Sequence, residues 1–462
     1  MPPGDAAGWR MLGGRVGEDP VLAPHAGLGD DESFITDPGG YLEQIPVADI
    51  AAGLEATPAA LWRNRSLLSL LIGQFVSLCG IQMTSVAIPW FVLTSTHSPQ
   101  KMTIVLLAQA IPFAVFGLPA GAIVDRVDMK RLMVGLDLGR ALTIGAIPVL
   151  AAFARGDTLF WGIVALTALN ATLATPYLSA RSSIIPALVG EDVRDLTTAN
   201  TAIQFSLQIT MIIGPMIAGV LIGVIGATNV VIVDAVTYVF AATLIGLGVK
   251  YHRTLAPPAV GHIFAEMREG LAFVWNHPLI RVATFLGIVF MLGLAMLVDA
   301  ALPVFVKQTL HAGPSALGWL LGVWGAGATV GMVAYGFAAR RWRLRRGPAL
   351  LTATGALSLA VWVPPLARAL PASLVGLGAA GLADGPTSIM VTTLLQSEAP
   401  EEMRGRVFSA FHAAVMAAGP IGLFVAGAVM ERSGPLPIMF GVAALFTVAT
   451  ALAWLSPAAR NA

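Results

Sequence analysis

The chain has 462 residues, 56% of them hydrophobic and 11% charged, with a net charge of +1 at pH 7; an average soluble domain carries roughly 25% charged residues. A mean hydropathy of +0.78 over this length excludes a soluble enzyme, because even a large soluble fold clothes its surface in polar side chains. The near-zero net charge leaves no nucleic-acid footprint, and the lone Cys79, inside an apolar run, provides neither a disulfide framework nor a cysteine metal site.

Residues 1–62 differ from the rest. They hold ten Asp/Glu against two Arg, are rich in Gly and Pro, and lack the basic start and short apolar run of a signal peptide. This predicts a disordered cytoplasmic extension, or less simply a partner-docking tail. From Ser66 onward the chain is a succession of apolar stretches. Each is near the ~20 residues that a helix needs to cross ~30 Å of hydrocarbon. Twelve spans are expected: 68–93, 103–124, 132–153, 158–179, 203–225, 229–249, 282–304, 316–337, 349–367, 371–393, 407–429 and 436–455. An all-α membrane protein follows, with a first six-helix bundle over 63–249, a linker over 250–281, a second bundle over 282–456 and a short tail over 457–462. The linker segment HIFAEMREGLAFVW has Ile263, Met267, Gly270, Leu271 and Val274 at helical spacing with Glu266, Arg268 and Glu269 between them. An amphipathic helix in the membrane interface fits, and so does a cytoplasmic helix that only joins two bundles.

Basic residues resist translocation and accumulate on the cytoplasmic side. Sorted by loop parity, and leaving out the tail's Arg10 and Arg15, 19 Lys and Arg lie on the side of the even loops and the termini, and five (Lys101, Arg155, Lys307, Arg368, Arg432) on the other. Both termini are expected in the cytoplasm of a cell membrane.

The punctuation repeats. Pro89-Trp-Phe-Val92 answers Pro303-Val-Phe-Val306; Gly121 with Lys130-Arg131 answers Gly331 with Arg340-Arg341; Gly214-Pro215 answers Gly419-Pro420. The offsets drift slowly, as loop-length differences would make them, which predicts a parallel duplication.

GAIVDRVDMKR, from Gly121 to Arg131, closes the second span with a small residue, a carboxylate at the membrane edge and a basic pair. Gly121, Asp125, Arg126, Lys130 and Arg131 resemble the signature loop of the major facilitator superfamily. The second-half counterpart keeps Gly331 but has Tyr335 in place of the carboxylate. Asp137-Leu-Gly-Arg140, Ala180-Arg181, Ile185-Pro186, Ala199-Asn200, Glu269-Gly270-Leu271 with Phe273-Val274, Gln396 with Pro400, and Arg404-Gly405-Arg406-Val407 resemble, in order, the branch that contains the enterobactin exporter and the macrolide efflux proteins. Gly214-Pro215-Met-Ile-Ala218-Gly219 is similar to the fifth-helix element of drug/proton antiporters, with Ala218 replacing one glycine; a plain helix kink explains the same residues.

The resemblance implies two six-helix bundles around a central cavity lined by helices one, four, seven and ten. It implies a gate in which Asp125 meets the start of the eleventh helix beside Arg404 and Arg406. Ionisable groups inside a bilayer are costly and by default functional or paired. Asp299 and Asp384, on helices seven and ten, are therefore candidates for a proton or cation site. Asp137 and Arg140 either join them or neutralise each other at i, i+3. Asp234 reads as structural or water-reached. Gln74 and Asn170 either touch substrate or bond between helices.

The expected function is export of a bulky apolar or amphipathic small molecule, of drug, macrolide or siderophore type, in exchange for protons or another ion. No cofactor, metal or nucleic acid is expected, and no catalytic residue; with no G-x-x-x-x-G-K-[ST] loop, no ATP is hydrolysed. The partners are substrate, coupling ion and lipid, and the protein is expected to be a monomer. Uptake of a small nutrient, or sensing through the acidic tail, are the rival readings.

Overall fold

The computed structural model describes residues 64–124, 127–190, 192–250, 263–341, 345–457 and 460, all within the unit Thr57–Ala462. The acidic segment 1–62 lies outside them. The described residues form helices and short connections. In chain order these are α1 (Arg65–Thr96), α2 (Pro99–Val124), α3 (Met129–Phe153), α4 (Gly156–Val189), α5 (Val193–Ile225), α6 (Ala227–Gly248), the linker helix α7 (Ile263–Asn276), α8 (Pro278–Gln308), α9 (Pro314–Arg341), α10 (Gly347–Ala367), α11 (Leu370–Glu398), α12 (Arg404–Ser433) and α13 (Pro435–Leu455).

Eleven of these are long and apolar enough to cross a membrane. The expected second span is the 26-residue apolar α2, part of whose side chains are outside the described residues. Twelve crossings put the start of α1 and the end of α13 on one face, called here the terminal side; the opposite face is the far side.

Every expected span lies inside a helix except 229–249, which passes the end of α6 by one residue, and most of the helices run longer. α4 continues ten residues past its expected end, and α5 begins ten before its expected start. The hydropathy rule measures the hydrocarbon slab, whereas a helix continues into the interface wherever its polar residues find water.

Local chemistry sets several ends. Asn64 caps α1 by accepting from the amides of Ser66 and Leu67 at 3.1 Å, and it donates to the Leu188 carbonyl at 2.9 Å, tying α1 to the end of α4. Asp128, within the signature loop, caps α3 by accepting from the Arg131 amide at 2.8 Å. His277 caps α8, with Pro278 in the first turn, while its other ring nitrogen lies 3.4 Å from Glu398 of α11.

The duplication is written in the backbone as well. Three non-glycine residues in connections between long helices, His97 (φ 58°), His311 (φ 48°) and Arg368 (φ 49°), sit in the left-handed region that costs an L-residue roughly 1 kcal/mol. His97 and His311 are counterparts in the repeat, as are the connecting glycines Gly226 (φ 84°) and Gly434 (φ 72°). A strained conformation kept at matching places in both halves is the mark of one ancestral turn.

The first half packs α1 on α5 and α6, α3 on α4 and α6, and α2 on α4; the second packs α9 and α10 on α11, α8 on α12, and α10 on α13. The halves meet along two seams, α5 on α9 and α2 on α12. The linker helix belongs with the second half: it lies on α12, where a Cβ at Gly270 would overlap the Arg406 carbonyl, and Arg406 donates to Glu269 at 2.7 Å.

Candidate functional site

The apolar core is not evenly shared between the two sides. One continuous cluster takes residues from both halves where they meet on the far side, among them Trp90, Leu93, Met102 and Ile222 from the first and Phe305, Leu317, Leu320 and Met430 from the second, and within the second half it continues toward the terminal side through Ala283, Leu351 and Leu394. Toward the terminal side the clusters belong to one half each: Leu70, Met133, Tyr177 and Ile245, or Leu67, Ile185 and Ile203, in the first; Val274, Leu395, Val407 and Phe411 in the second. Among the described residues the halves are sealed together on the far side, and the smaller clusters toward the terminal side each stay within one half.

Hydrogen bonds between described residues follow the same division. Ser98 donates to Glu431 at 2.8 Å, Lys307 to the Leu93 carbonyl at 3.2 Å, and Ser315 to the Gly219 carbonyl at 3.2 Å. All three lie near the far side. Gln208 donates to Thr329 at 2.7 Å close to the middle of α5 and α9. Leu93 and Lys307 are 214 residues apart, the offset of their own repeat landmark, so equivalent positions of the two halves meet at the seal.

The fifth-helix element builds this seal. A Cβ on Gly219 would lie 2.6 Å from the Pro314 carbonyl oxygen and 3.1 Å from the Cα atoms of Ser315 and Gly318. A Cβ on Gly318 would in turn overlap the Pro215 carbonyl, and Gly214 is filled by Gln82 of α1. Pro215 and Gly219 thus let the α5 and α9 backbones touch, and Gly318, which the sequence reading did not single out, supplies the other surface. Its signal was present as the small-residue spacing Gly318, Gly322, Gly325 on α9.

Among the expected cavity carboxylates, Asp299 falls in a π-helical stretch, Ala295–Ala301, that interrupts α8. Its side chain is exposed, while Ala300 and Ala301 beside it are buried. The wider turn re-aims residues relative to the flanking helix, a device common at functional sites. Asp384 of α11 is half-buried beside Trp324 of α9.

Asp137 and Arg140 do not close an ion pair. Arg140, 4% exposed, donates to the Tyr238 hydroxyl at 2.6 Å and stacks over that ring at 4.3 Å, while Tyr177 lies on its other flank at 5.9 Å. Asp137 is buried between Arg140 and Tyr177. Asp234 is fully buried rather than water-reached: it accepts from Thr237 at 3.2 Å and faces Thr84 and Arg140. A Cβ on Gly80 would overlap its carboxylate. Asn170, half-buried, donates to Thr143 at 3.3 Å and neighbours Tyr238. Gln74 is buried on α1. Asp234, Tyr177 and Tyr238 join Asp137 and Arg140 in one cluster, whereas the sequence offers Asp234 as a separate group and does not mark the two tyrosines. The i, i+4 pair Asp234 and Tyr238 on one helix face was the available signal.

Of the signature loop, Asp125 and Arg126 lie outside the described residues, and Gly121 is described only as helical backbone. Lys130 is half-buried and Arg131 exposed. Arg404 is held by the Gln396 carbonyl at 3.1 Å and by Glu401 at 3.5 Å. The second-half glycine, Gly331, packs against the Leu382 carbonyl of α11.

Long apolar helices in two duplicated halves, joined among the described residues on the far side, define the fold of a membrane transporter. Residues 70–423 match the family model described as Major Facilitator Superfamily, and the chain belongs to that superfamily. It is 30% identical over 395 residues, covering 82% of this chain and 95% of the relative, to the multidrug efflux pump Tap of Mycolicibacterium fortuitum. It is 25% identical over 378 residues, 78% of this chain and 88% of the relative, to macrolide efflux protein A of Streptococcus pyogenes. Among solved structures, the nucleoside transporter NupG superposes with a TM-score of 0.69 at 12% identity, over 85% of this chain and 99% of that one. A bacterial homologue of the iron transporter ferroportin in its inward-facing state superposes with 0.64 at 16% identity, over 84% and 98%. At these identities the structures speak for the fold alone.

Proposed function

We propose that this chain exports bulky apolar or amphipathic drugs, of macrolide or related type, from the cytoplasm across the cell membrane in exchange for protons. The observation that carries this reading is the one-sided seal combined with likeness over four-fifths of the chain to a multidrug efflux pump. The terminal side is taken as cytoplasmic from the charge asymmetry of the loops, which makes the present conformation the one that collects substrate from inside. The protein works as a monomer, as a transporter and not as an enzyme. Gly121, Asp125, Arg126, Lys130 and Arg131, with Arg404 and Arg406, form the cytoplasmic gate when the far side opens. Asp299 and Asp384 are the cavity carboxylates that exchange a proton for substrate.

The topology is tested by placing a cysteine beside Lys101 in a Cys79→Ser background. An impermeant maleimide added to intact cells should label it, and labelling only after lysis would reverse the orientation.

The export reading is tested in a bacterial host stripped of its own drug pumps. Expression should raise resistance to macrolides and lower steady-state accumulation of a fluorescent drug. Asp299→Asn should insert normally but lose accumulation against a gradient, by tenfold or more if a proton is its counter-ion. Unchanged drug accumulation on expression of the wild type would reject export, and full activity of both Asp299→Asn and Asp384→Asn would place coupling elsewhere.

A further inference from the structure

The two halves share an ancestry but not a polar interior. Every buried side-chain nitrogen or oxygen without a hydrogen-bond partner among the described residues lies in the first half, on Gln74, Thr84, Asp137, Arg140, Thr167, Tyr177 and Asp234. At the corresponding helix pair of the second half, α10 and α13, the buried polar groups are neutral and matched. Ser358 and Thr450 share a hydrogen bond of 3.1 Å, and the Trp362 indole donates to Thr447 at 3.0 Å. Where evolution kept one interface neutral and satisfied, it loaded the other with two carboxylates and a guanidinium.

Charge counting then gives the consequence. Asp137 and Asp234 are both fully buried, Arg140 is nearly so, and the described groups facing them are Tyr177 from α4, Tyr238 and Thr237 from α6, and Thr84 from α1, with Arg181 acting on Tyr177. With both carboxylates ionised and Arg140 cationic, the cluster carries one uncompensated negative charge in the interior of a membrane protein. With one carboxyl protonated it is neutral. Two carboxylates that compete for a single cation titrate as a unit, not as separate residues, and an unpaired buried charge is the costliest state available to them.

We propose that Asp137, Arg140 and Asp234 form a site for one exchangeable proton, separate from the cavity carboxylates Asp299 and Asp384. Release breaks the carboxyl O–H bond, leaves the electron pair on the carboxylate, and passes the proton to water; rebinding reverses it. Half-buried Asn170, bonded to Thr143 and adjacent to Tyr238, borders the cluster. Tyr238 holds the guanidinium at a fixed place between the two acids, so that a small sliding of α3 against α6 changes which acid it favours. The assignment deepens the proton-exchange reading above and rests on it for its role in transport, but not for the existence of the site.

The decisive measurement is infrared difference spectroscopy of the full-length protein in lipid as the pH is raised, following the carbonyl stretch of protonated carboxyl groups. Wild type minus Asp234→Asn, and wild type minus Asp137→Asn, should each show the loss of one titrating carboxyl, because either substitution leaves a neutral Asp–Arg pair. Two variants are used so that a folding failure of one leaves the other. In proteoliposomes the same variants should keep substrate counterflow and lose at least tenfold of the accumulation driven by a pH gradient. Difference spectra without a titrating carboxyl in either variant overturn the site. A titrating carboxyl that disappears in both variants, in a wild type whose transport ignores the pH gradient, upholds the site and rejects proton antiport instead.

Discussion

Gly381→Leu should abolish recovery of folded protein, whereas Gly441→Leu should leave it unchanged. The contact between α9 and α11 is the most extensive helix pairing among the described residues, and glycines on both helices bring their backbones together. A Cβ on Gly381 would overlap the Trp324 carbonyl, one on Gly385 the Ala328 carbonyl, one on Gly327 the Gly378 carbonyl, and one on Gly331 the Leu382 carbonyl. Helices in lipid gain little from burying apolar surface against one another, so close backbone approach and the dispersion it brings must hold the pair. Overpacking costs about 1–3 kcal/mol where side chains can yield. Here the obstruction is main chain on both helices, which can yield only by separating. Gly441 on α13 has nothing within 4 Å of its would-be Cβ and serves as the control. Size-exclusion profiles of fluorescently tagged variants in mild detergent distinguish the two outcomes, and equal monodisperse peaks would show that the pair tolerates separation.

Gly219→Leu should have a different large effect, on conformation and not on folding. Its neighbours Pro314, Ser315 and Gly318 belong to the other half, and a seam between halves opens during transport. The added side chain therefore penalises only the state in which the far side is sealed. If the penalty is about 1–3 kcal/mol, the ratio of far-side-closed to far-side-open molecules should fall roughly 5- to 150-fold. Spin labels on Asn229→Cys and Ser433→Cys, at the far-side ends of α6 and α12 and with Cys79 replaced by Ser, would report this as growth of a longer-distance population in double electron–electron resonance. Gly223→Leu, one turn farther along and 3.3 Å from the Ser315 hydroxyl, should shift the distribution less, because a hydroxyl can rotate away. An unchanged distribution in Gly219→Leu would mean that the halves already separate there at no cost.

These two glycines mark the limit of what could be read in advance. Gly219 stood out because its Gly-Pro context resembles a known element, but nothing in the string says that its partner is Gly318 in the other half. The α9 and α11 glycines looked like ordinary membrane-helix composition until the backbone contacts were visible. The polar cluster behaves likewise. Asp137 and Arg140 are three residues apart and invite a local ion pair; the fold instead brings in Tyr238 and Asp234 from α6, about a hundred residues later, and gives the guanidinium to a phenol.

The sequence by itself determined the solvent, the number of crossings, the duplication and the family, because each depends on properties that are additive along the chain: the hydrophobicity of a window, the parity of a charged loop, the recurrence of a short pattern. Only the tertiary structure decided which half buries unpartnered ionisable groups, on which side the described contacts between the halves gather and which glycines carry a helix crossing. Those depend on which faces of distant helices meet, and in a chain where nearly every residue of every span is apolar the pattern that would point one face inward is weak. The lipid makes the helices legible one at a time and hides how they pair.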